Sequence, residues 1–334
     1  MGWVILGVCA GVLLADLLVR ALAVSAILPV FERRPPFAVE PAEPDPDVEP
    51  VAFATSHGLT LRGSLSRSLD RPSRGIVIFC PEMAGCHWQA PSYCQGLRRA
   101  GFDVLAFDFR NQGQSDSLAG YEPLHWVTEY EVADVRAAIE YVRSRDDLGG
   151  LPLGLFGISR GGGAALAAAA RNGEVEAVAC EGAFTTDALT LVYLYRWAEL
   201  YVPNQIMRLI PHWHISGTLA LARRVSQWRR ACRYTVLECE LLKLRDRAVL
   251  FIAGGRDTYV PPAVSEAMCR RIGGRRQRVW LVEEARHNLA RRVDPDEYDR
   301  RLAAFFHEAL SAACVPEPHV VRRVTPGVLG DPVA

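Results

Sequence analysis

Apolar residues gather in this chain into blocks of distinct lengths. The first, Trp3 to Val30, carries only Asp16 and Arg20 as charges and exceeds the roughly 20 residues needed to cross a bilayer. Pro35 to Pro50 follows, with six prolines and little to bury, which predicts an extended tether. A hairpin then enters the folded part: Val51–Thr55, a turn at His57–Gly58, and Leu59–Leu65. Continuous apolar runs recur at Gly75–Cys80, Phe102–Phe109, Leu151–Phe156, Val175–Cys180, Ala248–Ala253 and Arg278–Val282. Runs of that length without alternation suit strands covered on both faces.

Helical patterns lie between them. They fall at Ser92–Ala100, at Thr128–Arg143 with its apolar stripe at 132, 135, 139 and 142, at Ala164–Ala170, at Ala263–Ile272, and from Pro295 to near Ala313. Strands alternating with helices predict an α/β fold with a mostly parallel sheet and helices on both faces. Residues 184–247 are too many for an ordinary connection. Two helices are expected there: Ala188–Val202, rich in Tyr193, Tyr195, Trp197 and Tyr201, and Ser216–Cys232, with Leu221, Val225, Trp228 and Cys232 as its core stripe opposite Arg223, Arg224, Arg229 and Arg230. The expected organisation is an anchor at 1–31, a linker at 32–50, a domain at 51–314 with a helical cap at 184–247, and a flexible tail at 315–334.

Charge narrows the choice of partners. The 334 residues carry 38 basic and 38 acidic groups, a net charge of zero, which gives no reason to expect nucleic acid. Only Lys243 among the basic residues is a lysine, so single arginines are not read as binding residues. The nine cysteines are scattered, without metal-ligand spacing or a compact disulfide framework. In the first block, Asp16 and Arg20 stand four apart and can pair on one helix face. A cleaved signal peptide is the competing reading, with Ala21–Ala23 or Val24–Ala26 as cleavage sites, but nothing basic precedes the apolar stretch. Arg33 and Arg34 follow it directly, so a retained single-pass anchor would leave the domain in the cytoplasm.

The chemistry begins at Gly157-Ile158-Ser159-Arg160-Gly161, a G-x-S-x-G sequence between a strand run and a helix former. Such a turn holds a serine at the top of a sheet, and the helix after it points unpaired N–H groups at the same place. A serine hydroxyl needs a base to attack a carbonyl. Two later strand ends supply partners: Asp257 in Gly254–Pro262, and His287 in Glu283–Asn288. An imidazole titrates near working pH, and a carboxylate fixes its tautomer. Glu181, just past the strand after Ser159, is the rival acid.

The order Ser159, Asp257, His287, with the Phe107–Ser115 loop and Asp257-x-x-Val260-Pro261, resembles the α/β-hydrolase superfamily, its serine-aminopeptidase-like and esterase branch. The likeness covers about Val51 to Ala313. It implies an α/β-hydrolase fold with a helical cap over the serine, and a Ser159–His287–Asp257 triad cleaving an ester, thioester or amide of a small-molecule acyl substrate, with no cofactor. Where the family has His-Gly-x after its third strand, this chain has Pro81-Glu82-Met83. By position, the backbone N–H groups of Met83 and Arg160 would form the oxyanion hole, with Glu82 a charge close by. An acyltransferase on the same triad, or a silent binding protein with this fold, are the alternatives.

The other histidines are read as packing or surface residues: His57, His307 and His319 on the surface, with His87–Trp88 and His125–Trp126 beside the pocket or in the core. His212 and His214 have metal-like spacing without a third ligand nearby. Oligomeric state is left open.

Overall fold

A computed structural model describes residues 1–35, 39, 41–198 and 210–311. An eight-stranded sheet forms its centre: β1 Glu49–Ala54, β2 Thr60–Ser66, β3 Gly75–Cys80, β4 Phe102–Phe107, β5 Leu153–Ile158, β6 Val175–Glu181, β7 Ala248–Gly254 and β8 Gln277–Val282. The spatial order is β1-β2-β4-β3-β5-β6-β7-β8. β1 and β2 form the antiparallel entry hairpin, β2 joins β4 antiparallel, and the remaining pairs are parallel.

The helices are α1 Gly2–Glu32, α2 Ala90–Arg99, α3 Glu129–Ser144, α4 Arg160–Arg171, α5 Thr186–Ala198, α6 His212–Arg229, α7 Pro262–Ile272 and α8 Pro295–Ser311. They cover both faces of the sheet, and β3 shows why its run is unbroken. Ile76, Ile78 and Cys80 enter one core, while Val77 and Phe79 enter the other. A strand buried on both sides gains apolar burial at every position. α3 opens on a capping box, Thr128 and Glu131 satisfying each other's backbone N–H.

Several expectations change in the structure. α1 is long and apolar enough to cross a membrane, but its last turns belong to the domain. Val24, Ile27 and Phe31 are buried in the main core, Phe31 lies 5.3 Å from the Trp126 ring and 5.7 Å from Tyr234, and Trp126 Nε1 donates to Val30 O at 3.3 Å. The proline-rich stretch therefore does not hold helix and domain apart. Val39, Pro41 and Ala42 instead line a cleft beside Tyr93 and His287. The apolar face of α1 is more stable buried than in water, and it docks.

The second cap helix begins at His212, after Pro211, rather than at Ser216. Its buried face is Ile215, Leu219, Ala222 and Ser226, whereas Leu221 and Trp228 of the expected stripe are exposed. Small residues on the buried face admit close packing on α1. The arginines are a solvated face only in part: Arg224 and Arg229 are exposed, Arg229 reaching Glu32 at 3.4 Å, whereas Arg223 pairs with Asp187 and Arg230 reaches Tyr234 Oη at 2.8 Å. Val202, Tyr201, His319, the end of the last helix at Ala313 and the tail lie outside the described residues, as do the His212 and Trp197 side chains.

Candidate active site

The parallel register brings the strand ends level: Ile158 pairs with Glu181, Glu181 with Ile252, and Gly254 with Val282. Loops that follow β5, β7 and β8 therefore meet over the carboxyl edge, where open α/β sheets hold their sites. Ser159 sits between β5 and α4 at φ 51°, ψ −117°, a conformation that costs an L-residue roughly 1–3 kcal/mol. Glycines on either side make the turn possible. A Cβ on Gly157 would lie 2.5 Å from Gly161 O, and one on Gly161 would lie 2.2 Å from Cys80 O. The second contact presses the serine turn directly against the end of β3.

Ser159 Oγ stands 3.1 Å from His287 Nε2, and His287 Nδ1 stands 2.7 Å from Asp257 Oδ2. The other Asp257 oxygen accepts the backbone N–H groups of Tyr259 and Val260, each at 2.8 Å. These bonds hold the carboxylate against rotation. The side chains of His287 and Asp257 are 9% and 1% exposed, so little water competes for either. Gly182, at φ +59°, leaves the room His287 needs, since a Cβ there would come within 2.9 Å of its Cε1.

Glu181 does not compete for His287. Its oxygens accept Ala290 N at 2.9 Å and Tyr298 Oη at 2.6 Å, which ties the His287 loop to α8. Burial pushes this carboxyl up from 4.5 to about 7. The folded chain thus holds a proton that the unfolded chain releases between those values. Its stabilising contribution is complete below about pH 4.5 and is lost as pH rises through 7, a change on the order of 3 kcal/mol. Glu181→Gln is expected to flatten the decline of denaturation midpoint between pH 5 and 8. An unchanged slope in urea titrations would contradict this.

At the end of β3, Met83 is buried and Ala84 takes φ 63°. Among the described residues, neither the Met83 nor the Arg160 N–H meets an acceptor. The Glu82 carboxyl accepts Asn288 Nδ2 at 2.7 Å, and burial pushes its pKa up. Two supporting residues were not singled out in the sequence for their side chains. The Arg160 guanidinium is fully buried, donates to Leu124 O at 3.1 Å and to Gln112 Oε1, and lies over the Phe109 ring at 5.3 Å. Asp108 accepts His87 N at 2.6 Å and Gln114 N at 2.7 Å. Together they fix the loops bordering Met83. An arginine directly after a G-x-S motif was the available signal, but an exposed reading is the default for arginine.

His87 is buried, its Nδ1 3.0 Å from Asp108 Oδ1. His214 is engaged by Arg20 at 3.0 Å and Asp16 at 3.1 Å. Asp16 and Arg20 pair with each other at 2.7 Å as their spacing predicts.

Comparison with known proteins bears on the fold. A family model described as the α/β-hydrolase fold matches residues 75–204. A protein of Escherichia coli, the uncharacterized 31.7 kDa protein in the traX-finO intergenic region, is 27% identical over 110 residues, 33% of this chain and 37% of that one. The uncharacterized protein YfhR of Salmonella typhi is 31% identical over 128 residues, 36% of this chain and 40% of that one. The chain thus spans well under half the length of these curated relatives. Among solved structures, the Pyrococcus furiosus esterase Pf2001 superimposes with a TM-score of 0.60 at 20% identity, covering 83% of this chain and 97% of that one. Est1E from Butyrivibrio proteoclasticus, with ferulic acid bound, gives 0.57 at 16% identity over 78% of this chain and 99% of that one.

Proposed function

We infer that this chain, which has the α/β-hydrolase fold, is a serine hydrolase cleaving an ester, thioester or amide through an acyl-enzyme. The observation that supports this best is the run of contacts from Ser159 through His287 to Asp257, with gaps of 3.1 and 2.7 Å. Ser159 Oγ adds to the substrate carbonyl while its proton passes to His287 Nε2. His287 Nδ1–H donates to Asp257, which steadies the imidazolium. The Met83 and Arg160 N–H groups receive the oxyanion. When the tetrahedral species collapses, the leaving group takes the proton from His287. Water then repeats the cycle on the acyl-enzyme, releasing the acid and restoring Ser159.

A fluorophosphonate probe tests the reading. The wild-type chain is expected to be labelled covalently and Ser159→Ala to remain unlabelled; equal labelling of both would refute it. The reading includes α1 as a retained single-pass anchor, with Arg33 and Arg34 on the cytoplasmic side. Alkaline phosphatase fused to the C-terminus is accordingly expected to be inactive in cells, and an active fusion would reverse the orientation.

A further inference from the structure

Gly2 to Val19 of α1 is exposed along nearly its whole length, about 27 Å of helix at 1.5 Å per residue, close to the roughly 30 Å of a hydrocarbon core. From Arg20 on, one side of α1 is covered by α6. Arg20 Nη1 donates to His214 O and to Thr218 Oγ1, each at 3.3 Å, and Glu32 meets Arg229 farther along, so the two helices run parallel. The outer side of α6 presents Trp213, Leu221 and Trp228, 68%, 41% and 83% exposed. At 100° per residue they fall within an arc of about 80°. Trp213 sits under the Arg20 guanidinium, 5.6 Å from its ring centre, so an exposed tryptophan stands at the level where the bare apolar stretch ends, as at a membrane–water boundary.

Just past this level, between the last turns of α1 and α5, lies a cavity of about 730 Å³, within the ~300–1,000 Å³ of small-ligand sites. Its walls are mostly apolar, with Ala26, Ile27 and Val30 from α1 and Tyr193 and Leu194 from α5, and Arg33 and Arg34 stand at its edge. Thr258 and Tyr259 bound it toward the candidate site. They directly follow Asp257, and the Tyr259 ring is 5.8 Å from that of His287. Arg34 lines this cavity and also the neighbouring one that contains Met83, so the two spaces adjoin at Arg34. One buried polar side chain on its wall has an unpaired nitrogen. His125 is 5% exposed, lines the cavity, and its Nδ1 meets no hydrogen-bonding group. Burial pushes this imidazole down to about 3, so it is neutral and offers one donor and one acceptor. A buried polar atom left bare is uncommon and calls for an occupant.

We propose that the cavity holds the acyl chain of a single-chain membrane-lipid ester, drawn from the bilayer along α1, with His125 hydrogen-bonding to the ester's polar part. The anchor helix is then one wall of the substrate site. This rests on the assignment of Ser159 as nucleophile, and the test separates the two.

Full-length protein in bilayer nanodiscs is assayed with p-nitrophenyl esters from acetate to decanoate. Each buried methylene is worth about four-fold, so kcat/KM is expected to rise at least 100-fold over the series. Ala26→Trp, which fills the cavity from the α1 side, is expected to lower the decanoate-to-acetate ratio at least ten-fold. Val12→Trp, on the bare part of the same helix, leaves that ratio unchanged. A long-chain monoacylglycerol supplied in the same nanodisc is expected to release fatty acid. A flat wild-type profile, an equal ratio in Ala26→Trp and wild type, or no fatty acid release while p-nitrophenyl decanoate turns over would each overturn the inference and leave the serine hydrolase reading standing. Absence of Ser159-dependent fluorophosphonate labelling removes both. The wild-type profile decides the matter even where a variant fails to fold.

Discussion

Ser159→Ala is expected to lower kcat by about 10⁶, the scale seen when the nucleophile of a serine triad is removed. Alanine has no oxygen to add to the carbonyl and none to form the acyl-enzyme. The substitution is clean because Ser159 already bears a Cβ at φ 51°, so the variant inherits the same backbone strain and adds none. Gly157 and Gly161 keep the space the turn requires. The denaturation midpoint should therefore stay within a degree or two of wild type while turnover falls to background. A variant retaining a tenth of wild-type kcat would show that Ser159 is not the nucleophile.

Asp257→Asn should lower kcat by about 10⁴ with little change in stability. The asparagine oxygen can still accept the Tyr259 and Val260 N–H groups that now meet Asp257 Oδ1. Its amide nitrogen then faces His287 Nδ1 as a donor. The imidazole responds by carrying its proton on Nε2, where it cannot take the proton from Ser159. Asp257→Ala would lose the same activity and also leave two N–H groups bare, a cost of about 1–3 kcal/mol each when they are buried. Equal kcat in Asp257→Asn and wild type would remove the carboxylate from the mechanism. The paired variants thus separate orientation of His287 from support of the loop.

Much of this arrangement is legible in the sequence, for a physical reason. Strands buried on both faces, such as Gly75–Cys80, are written as unbroken apolar runs, and the strained turn at Ser159 demands its two glycines. Asp257 announces itself by following such a run, whereas His287 follows β8, an edge strand that is only partly buried although its sequence reads as covered. The orientation of α6 is not legible in the same way. Its sequence offers apolar residues on more than one face, and which face is covered depends on α1, some 200 residues earlier in the chain. Periodicity identifies a stripe without identifying its neighbour, so Trp228 reads as core although it stands outside. The end of α1 is hidden for a related reason: Phe31 continues an apolar block that already has an explanation as a membrane span. Glu181 illustrates the third limit, since its position in the chain fits a catalytic acid and only Tyr298 and Ala290 show that it holds a loop.

The wedging of Phe31 between Trp126 and Tyr234 has a mechanical consequence. An enzyme on a leash sweeps a hemisphere and samples whatever passes within reach. On the proposed membrane anchoring, one bolted to its own mast works at a single altitude with a single heading, and its catch is restricted to molecules that diffuse in the plane to its foot. Removing the mast through Phe31 would also strip a panel from the hull, and the shortened chain should be less durable.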